Sequence, residues 1–226
     1  MFVVIDGLDG SGKGTVTGLL NERLQKLGYK SSKFSFPGYD KTSCGKLVGR
    51  YLNGEFGTGI HPYLWGSLYA LDRFELKPAL ERELAQNDFV LADRYVTSNL
   101  CYAAMQSSPD ERDAVVNHFV TLEYGILRMP IPDVIIFLDM PVNFAVQNIA
   151  KKETRTYTGR AADINEADVN LLARTREFYA KELMARHPLQ SRFIPVECTA
   201  NNQLVAIAKI VEQVFGTISN LHSRSI

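Results

Sequence analysis

Residues 3–15 read Val-Val-Ile-Asp-Gly-Leu-Asp-Gly-Ser-Gly-Lys-Gly-Thr, an apolar run that leads into a glycine-rich turn ending in lysine. Gly7, Gly12 and Lys13 stand at the spacing G-x-x-x-x-G-K. In such a loop, consecutive backbone N–H groups and the N-terminus of the next helix surround a polyphosphate, and the lysine contacts its outer phosphates. The stretch therefore predicts a strand, a phosphate-binding loop and a helix, with an ordinary glycine-rich turn as the alternative.

The residues on both sides of this turn support a phosphate-binding loop. Residues 2–5 form a short apolar run typical of a buried strand, and apolar residues repeat at helical spacing after the turn. The residues at helical spacing are Val16, Leu19, Leu20, Leu24 and Leu27. We therefore expect the loop to bind the phosphates of a nucleotide. The binding residues expected in it are Gly7, Gly10, Ser11, Gly12, Lys13, Gly14 and Thr15.

One position departs from the usual form of this loop. Ser or Thr normally follows the lysine and reaches the metal ion, but here Gly14 follows Lys13 and Thr15 comes one place later. We therefore expect a magnesium ion to be held more by phosphates, water and acidic side chains. The Gly-Lys-Gly-Thr ending is similar to that of adenylate kinases, so the departure does not argue against kinase activity.

Composition and charge limit the classes of protein that fit. The 226 residues suit one α/β domain, and 25 basic and 25 acidic residues give a net charge of zero. Zero net charge gives no general attraction to nucleic acid or anionic membranes, and no apolar run is long enough to span a bilayer. Three widely spaced cysteines indicate free thiols. We expect a soluble, cytoplasmic protein that binds neither nucleic acid polymers nor membranes.

Short apolar or β-rich runs alternate along the chain with segments of helical periodicity. The predicted strands are residues 2–6, 31–36, 88–92, 133–138 and 192–196. The predicted helices are residues 13–27, 42–53, 62–86, 97–107, 110–127, 142–151, 165–186 and 202–216. Pro78 is expected to kink or break the third helix. The alternation predicts an α/β fold, a five-stranded parallel sheet flanked by helices, with ligands at the carboxyl ends of its strands.

Two further segments carry residues suited to phosphate chemistry. Asp93 and Arg94 directly follow the third predicted strand, where an acidic group can orient magnesium and a guanidinium can pair with phosphate. A segment of about residues 151–164, basic and polar, lies between two predicted helices. This segment is interpreted as a lid over phosphates or, alternatively, as a plain solvated loop.

Five segments, in order along nearly the whole chain, resemble those of thymidylate kinases. They are residues 6–13 (Asp-Gly-Leu-Asp-Gly-Ser-Gly-Lys), 36–39 (Phe-Pro-Gly-Tyr), 70–73 (Ala-Leu-Asp-Arg), 93–99 (Asp-Arg-Tyr-Val-Thr-Ser-Asn) and 132–133 (Pro-Asp). The similarity is greatest to bacterial members. The resemblance implies a P-loop nucleoside monophosphate kinase fold, with residues 1–226 as a single domain. It also implies transfer of the γ-phosphoryl group of ATP to dTMP with Mg²⁺.

The resemblance assigns roles to residues around the acceptor nucleotide. Asp9 would face the sugar 3′-hydroxyl and the metal, although Asp also favours such turns. Phe36 and Tyr69 would border thymine, with Tyr69 in place of a more usual Phe, and the alternative for Phe36 is a core position. The resemblance also places substrate-binding roles on Tyr39, Arg94 and Ser98.

Three other side chains would recognise the base and the sugar. Arg73 would bond a carbonyl of thymine and Asn99 its amide edge, because an Asn side chain both donates and accepts. The alternative for Arg73 is an ion pair with Asp72 or Glu75. The alternative for Asn99 is a cap on the helix that begins near residue 97. Tyr102 would lie against C2′ and disfavour a ribose hydroxyl, or would be a packed core tyrosine.

The lid aligns with the family segment that closes over the acceptor. Arg155 and Arg160 would neutralise charge on the transferred phosphoryl group, as in members that have Gly after the loop acid, which is Gly10 here. The residues expected near the acceptor phosphate and the metal are Asp163, Asn165 and Glu166. The metal ligands implied are Asp9 and Glu166. The alternative for this acidic segment is an N-terminal helix cap.

The resemblance thus implies a dTMP kinase, and two alternatives stay open. One is a nucleoside monophosphate kinase of other or broader deoxynucleotide specificity, and the other is a non-catalytic P-loop regulator. The resemblance also implies a homodimer with helices 42–53 and 62–86 at its interface. Leu64, Leu68 and Leu71 give the longer helix more than one apolar face, as burial beyond the monomer core requires.

Overall fold

The computed structural model describes residues 1–57, 59–151, 163–183 and 192–223, and a five-stranded sheet forms its centre. The strands are β1 (Phe2–Gly7), β2 (Ser31–Ser35), β3 (Phe89–Asp93), β4 (Val134–Asp139) and β5 (Arg192–Glu197). They lie in the order β2-β3-β1-β4-β5, and every neighbouring pair is parallel. The predicted sheet is confirmed, and no strand end differs from its expected position by more than about one residue.

Helices cover both faces of the sheet. They are α1 (Lys13–Lys26), α2 (Ser43–Leu52), α3 (Pro62–Gln86), α4 (Val96–Met105), α5 (Arg112–Val120), α6 (Val142–Ala150), α7 (Val169–Glu177) and α8 (Ile207–Ser223). A 3₁₀ turn at Pro109–Glu111 precedes α5, and π-helical segments extend α5 over Thr121–Ile126 and α7 over Phe178–Leu183. An antiparallel hairpin of β6 (Thr199–Ala200) and β7 (Gln203–Leu204) precedes α8.

Alternate residues of the central strand β1 enter two separate hydrophobic cores. Val3 and Ile5 join the core that includes α1 and α8, whereas Val4 joins the core beneath α3 and α4. This follows from the two-residue period of a strand in a sheet that is covered on both faces. Ile5 pairs with Asp93 across β1 and β3. The segments that follow these two strands therefore meet at one edge of the sheet.

The prediction for Pro78 was a kink or a break of the third helix, and the break is wrong because α3 continues through Pro78. Pro78 and Phe74 are both exposed, and the carbonyl that would otherwise bond to residue 78 lies on the solvent side of the helix. Water can therefore satisfy the carbonyl that the proline leaves free.

In the described ranges, no helix is both long enough and apolar enough to cross a membrane.

Helices α7 and α8 begin later than the sequence predicts. The Asp168 side chain accepts a hydrogen bond from the N–H of Leu171 at 2.9 Å, so the N-cap of α7 lies at Asp168 and the helix starts after it. Asn201 and Asn202 have φ angles of 50° and 56° in the turn of the β6–β7 hairpin. A helix requires negative φ, so α8 begins only after this hairpin.

The core predicts how the protein responds to loss of a buried side chain. Ile136 lies in β4 and is fully buried. We expect Ile136→Ala to lower the free energy of unfolding by about 2–5 kcal/mol, because it removes buried methyl groups and leaves a cavity. Urea denaturation followed by circular dichroism measures this. The control is Ile131→Ala, where the side chain is 54% exposed. Equal losses in the two variants would contradict the placement of Ile136 in the core.

Candidate active site

The glycine-rich loop joins β1 to α1 at the carboxyl edge of the sheet. Gly12 is the N-cap of α1 with a φ of 86°, a left-handed conformation that favours glycine. Gly10 is closely packed, since a Cβ atom there would lie 2.2 Å from the carbonyl oxygen of Ala145 in α6. Asn148 Nδ2 also donates to the Gly10 carbonyl at 2.9 Å. Helix α6 therefore supports the loop from one side, while the first N–H groups of α1 have no intrahelical partner.

An open cavity, named here the loop cavity, lies over the loop and the start of α1. The predicted loop residues that line it are Gly10, Gly12, Lys13, Gly14 and Thr15. Gly7 and Ser11 are buried and do not line it. The charged side chains on its wall, apart from the lysine, are Asp9, Asp93, Arg94 and Glu166. The cavity thus combines backbone N–H groups with charges of both signs.

The Lys13 side chain is buried within the loop. Its Nζ donates a hydrogen bond to the Leu8 carbonyl oxygen at 2.6 Å. Burial and the nearby Arg94 charge lower the pKa of Lys13 from 10.5 to about 8, although Asp9 acts in the opposite direction. The lysine therefore holds its proton less firmly than a free lysine until an anion binds beside it.

Asp9 and Arg94 form an ion pair that belongs to the walls of two cavities. Arg94 Nη2 donates to Asp9 Oδ1 at 2.5 Å, and the Tyr102 hydroxyl donates to Asp9 Oδ2 at 2.8 Å. Burial opposes the charge on Arg94, but Asp9 outweighs it, and the pKa of the guanidinium is raised. Arg94 also has a φ of 64°, which is uncommon for a residue other than glycine and frequent at functional sites.

A buried carboxylate that the sequence reasoning missed supports this ion pair. Asp6 accepts hydrogen bonds from the Ser98 hydroxyl at 2.6 Å, from the Gly7 N–H at 2.9 Å and from the Thr97 hydroxyl. Ser98 Oγ in turn accepts from Arg94 Nη1 at 2.9 Å. The sequence offered a signal for this role, since Asp6 directly follows the apolar residues of a predicted buried strand. A carboxylate buried at that position needs hydrogen-bond donors around it.

A second cavity, named here the aromatic cavity, adjoins the loop cavity. Every predicted substrate-binding residue lines it, namely Asp9, Phe36, Tyr39, Tyr69, Arg73, Arg94, Ser98, Asn99, Tyr102, Asp163 and Asn165. Residues that the sequence did not single out also line it, namely Pro37, Leu52, Trp65 and Tyr95. The structure thus brings together side chains from widely separated parts of the chain, and their roles stay predictions.

The aromatic walls of this cavity are themselves packed. Phe36 is buried, and its ring centroid lies 5.5 Å from that of Tyr95. The alternative of a core position for Phe36 is therefore compatible with its place on the cavity wall. Tyr69 is half-buried and meets the Trp65 ring edge to face at 5.7 Å. Tyr102 is buried in the hydrophobic core, as its alternative predicted, and it also lines the cavity and donates a hydrogen bond to Asp9.

Arg73 pairs with Glu123, so the alternative of an ion pair with Asp72 or Glu75 is wrong. Arg73 Nε donates to Glu123 Oε2 at 2.5 Å and Nη2 donates to Oε1 at 2.6 Å, with both side chains buried. Asp72 instead binds the loop before α2, and Glu75 accepts from backbone N–H groups at the start of α2. Neighbouring residues of a helix point to different sides, which separates Arg73 from Asp72.

Asn99 lies within α4 and does not cap it, so the capping alternative is wrong. Helix α4 begins at Val96 with Tyr95 at the N-cap. Asn99 Nδ2 donates to the Gly66 carbonyl and to Glu123 Oε1, each at 3.0 Å. Its Oδ1 is buried and has no hydrogen-bond partner among the described residues. A ligand in the aromatic cavity can supply that missing donor.

Glu123 is the second residue that sequence reasoning missed. A signal existed in the sequence, because Glu123 follows the apolar residues Val115 and Phe119 at intervals of four residues within a predicted helix, and all three are buried in the structure. Helical periodicity places them on one face. A carboxylate on a buried helical face needs charged or hydrogen-bonding partners, and those partners are the ones described above.

Asp163 and Glu166 form a reciprocal hydrogen-bonded turn. Asp163 Oδ1 accepts from the N–H groups of Asn165 and Glu166, each at 3.0 Å, and Glu166 Oε2 accepts from the Asp163 N–H at 3.3 Å. These reciprocal bonds resemble a capping box, but α7 begins only after Asp168, so the alternative of a helix cap at this segment is wrong. Asp163 nevertheless lines the aromatic cavity and Glu166 the loop cavity. Arg155 and Arg160 lie outside the described residues.

Acidic groups suited to a magnesium ion lie at the loop cavity. Asp93 Oδ1 is buried and lacks a partner in the described part of the chain, and burial raises the pKa of this carboxyl. A Cβ atom at Gly14 would lie 3.0 Å from Asp93 Oδ2, so glycine leaves room for the carboxylate. In the described ranges, no group of three His, Cys, Asp or Glu side chains is arranged so that it could hold a metal ion without other ligands. Mg²⁺ commonly uses only one or two carboxylates besides phosphates and water.

A phosphate-binding loop beside a second cavity with aromatic rings, an amide and guanidinium groups defines the class of P-loop nucleoside monophosphate kinases, to which this fold conforms. The family model described as thymidylate kinase matches residues 5–192. The chain belongs to the thymidylate kinase family.

Individual relatives agree with this assignment. The chain is 29% identical over 182 residues to the thymidylate kinase of Mycobacterium tuberculosis, covering 80% of this chain and 85% of the relative. It is 32% identical over 155 residues to that of Leptospira interrogans, covering 68% and 70%. The solved thymidylate kinase of Candida albicans has a TM-score of 0.74 at 20% identity and covers 98% of this chain and 92% of its own. The last comparison shows the shared fold.

The lowered pKa of Lys13 predicts how ATP binding depends on pH. Protonated lysine attracts phosphate, and the protonated fraction falls as the pH rises through about 8. We expect the ATP dissociation constant to increase about tenfold between pH 7 and pH 9. Titration calorimetry at fixed ionic strength measures it. In the control variant Lys13→Gln, binding is weaker and nearly independent of pH. A flat profile in the unmodified chain would contradict the role of Lys13.

Proposed function

We propose that the chain transfers the γ-phosphoryl group of ATP to the 5′-phosphate of dTMP, giving dTDP and ADP. Membership of the thymidylate kinase family supports the reaction. The structural observation that best supports this reaction is that Asp9 and Arg94 line both cavities. ATP in the loop cavity and dTMP in the aromatic cavity would therefore bring their phosphates together at this ion pair.

The chemistry requires positioning and charge neutralisation more than a base. The acceptor phosphate is already a nucleophile, and one of its oxygens bonds to the γ-phosphorus as the bond to the β–γ bridging oxygen breaks. We assign neutralisation of the charge on the migrating group to Lys13 and Arg94, which both line the loop cavity. By resemblance, we assign the same role to Arg155 and Arg160.

The aromatic cavity is suited to a thymine nucleotide. Phe36 and Tyr69 would border the ring, while Arg73 and Asn99 would bond its carbonyl and its N–H. Asp9 would accept from the sugar 3′-hydroxyl, and Tyr102, bonded to Asp9, would exclude a 2′-hydroxyl. The remaining substrate contacts proposed are Tyr39, Ser98, Asp163 and Asn165.

Magnesium is proposed to accompany ATP. Asp9 and Glu166 are the proposed acidic groups for the ion, and Asp93, whose Oδ1 has no partner among the described residues, lines the same cavity. When bound, the ion would neutralise charge on the phosphates. We also propose a single kinase domain over residues 1–226 with a lid at about 151–164, whose closure would exclude water from the reaction.

The alternatives are less well supported. A regulator without catalysis does not require phosphate-facing cations, yet Lys13 and Arg94 both lie at the loop cavity. Broad substrate specificity is described for the thymidylate kinase of Candida albicans, which shares the fold. For this chain, the acceptor panel described below distinguishes narrow from broad specificity.

We propose a cytoplasmic homodimer. The three cysteines are free thiols, and two are buried, as suits a reducing compartment. Leu64, Leu71 and Phe74 are 61%, 40% and 43% exposed on α3. Their spacing places them along one side of the helix, where a second copy would cover them. The exposed residues of α2 are polar, so α3 is the proposed centre of the interface.

The reaction is tested with a panel of acceptors in a coupled ADP assay with ATP and magnesium. We expect dTMP to be the best substrate. For dUMP we expect a loss of about 1 kcal/mol of transition-state stabilisation, because one methyl group gives limited discrimination. dGMP and AMP should not react, because a purine exceeds the ring space. Equal efficiency for dTMP and dGMP would contradict the thymidylate assignment, and no transfer to any acceptor would favour the regulator.

The dimer is tested by sedimentation at micromolar concentration. We expect twice the mass of the 25.3 kDa chain. Leu64→Glu and Leu71→Glu should give monomers, because a buried unpaired charge opposes association. Leu27→Glu, which alters a side chain 56% exposed at the end of α1, is the control and should stay dimeric. A monomeric unmodified chain would refute the proposal.

A further inference from the structure

Glu123 contacts both side chains that are proposed to read the base. Its Oε1 accepts from Arg73 Nη2 at 2.6 Å and from Asn99 Nδ2 at 3.0 Å, and its Oε2 accepts from Arg73 Nε at 2.5 Å. The side chain is fully buried in the π-helical extension of α5. Single π-helical turns often occur at functional sites. Glu123 itself does not line the aromatic cavity, so it can act on a ligand only through its partners.

The partners of Asn99 determine which end of its amide faces the cavity. The two hydrogens of Nδ2 are directed to the Glu123 carboxylate and the Gly66 carbonyl, which can only accept. The reversed amide would place Oδ1 against two acceptors, so these partners require the observed orientation. Oδ1 is the end left for a ligand, and it is buried without a partner among the described residues.

Glu123 orients Arg73 in the same way. Its carboxylate accepts one hydrogen bond from Nε and one from Nη2, which leaves the N–H groups of Nη1 and the second N–H of Nη2 for a ligand. Arg73 and Asn99 donate to the same oxygen of Glu123, and both residues line the aromatic cavity. The wall thus offers one acceptor beside one charged donor.

We propose that Glu123 is a positioning residue that sets the hydrogen-bonding polarity of the base site, an inference that rests on the proposed function. An acceptor beside a donor complements a ring N–H beside a carbonyl, as in thymine and uracil. Cytosine has a ring nitrogen acceptor beside an amino donor, the reverse of this pattern. Rejection of cytosine nucleotides therefore depends on Glu123 as well as on the two residues that touch the base.

The substitution Glu123→Gln tests this polarity. Glutamine keeps the shape of the side chain, but one of its two ends donates, so it cannot accept all three hydrogen bonds. We expect kcat/KM for dTMP to fall about 10- to 100-fold, mainly through KM. The preference for dTMP over dCMP should narrow by about tenfold or more. The KM for ATP should not change, because Glu123 does not line the loop cavity.

Two further variants separate polarity from packing. Glu123→Asp keeps a side chain that only accepts, so it should lower dTMP efficiency but keep the preference over dCMP. Glu123→Gln breaks a buried ion pair, which is strongly destabilising. If that variant does not fold, Glu123→Asp still tests whether the preference for dTMP depends on a side chain that only accepts. Glu212→Gln, which alters an exposed pair with Arg23, is the matched control and should change neither value.

The outcomes distinguish this inference from the proposed function. An unchanged dTMP preference in Glu123→Gln would overturn the role of Glu123. Loss of the preference in Glu123→Asp would overturn it as well, because the carboxylate would then matter only for packing. If the unmodified chain does not phosphorylate dTMP at all, the proposed function fails, and the polarity argument fails with it.

Discussion

The ion pair between Asp9 and Arg94 is the interaction on which the arrangement of the site depends. It lies where the two cavities adjoin, and its two members follow β1 and β3, which are neighbours in the parallel sheet. Parallel strands end at the same edge, so this strand order brings the loop and Arg94 together. Beneath the pair, Asp6 accepts a hydrogen bond from the Ser98 hydroxyl, and the Ser98 oxygen accepts one from Arg94 Nη1. A partly buried ion pair is screened less by solvent than a surface pair, which favours a rigid junction.

Buried carboxylates organise the remaining walls of the site. Asp6 links β1 to α4, Asp72 links α3 to the loop before α2, and Glu123 links the extension of α5 to α3 and α4. Each of them accepts several hydrogen bonds, and leaving one buried donor unmatched costs about 1–3 kcal/mol. The elements that carry the proposed substrate-binding residues are therefore held in place by side chains that do not all line the aromatic cavity. This explains how the aromatic cavity keeps its shape.

Local patterns in the sequence were sufficient for most of the fold. Strands and helices were recognised because periods of two and of 3.6 residues are properties of neighbouring residues. The starts of α7 and α8 were misplaced because capping by Asp168 and the positive φ of Asn201 compete with helical periodicity. The residues of the aromatic cavity were found through motifs similar to a known family. Periodicity alone would not have separated Tyr69 or Tyr102 from core residues.

The sequence by itself determined the phosphate-binding loop, the parallel sheet and the residue types around the acceptor. The tertiary structure decided which partners those residues have. Arg73 and Glu123 are 50 residues apart, and Asn99 and Glu123 are 24 apart. No local period relates residues at such distances, whereas the packing of α3, α4 and the extension of α5 brings them within hydrogen-bond reach. The direction of the Asn99 amide, and with it the base preference that we propose, follows from that packing.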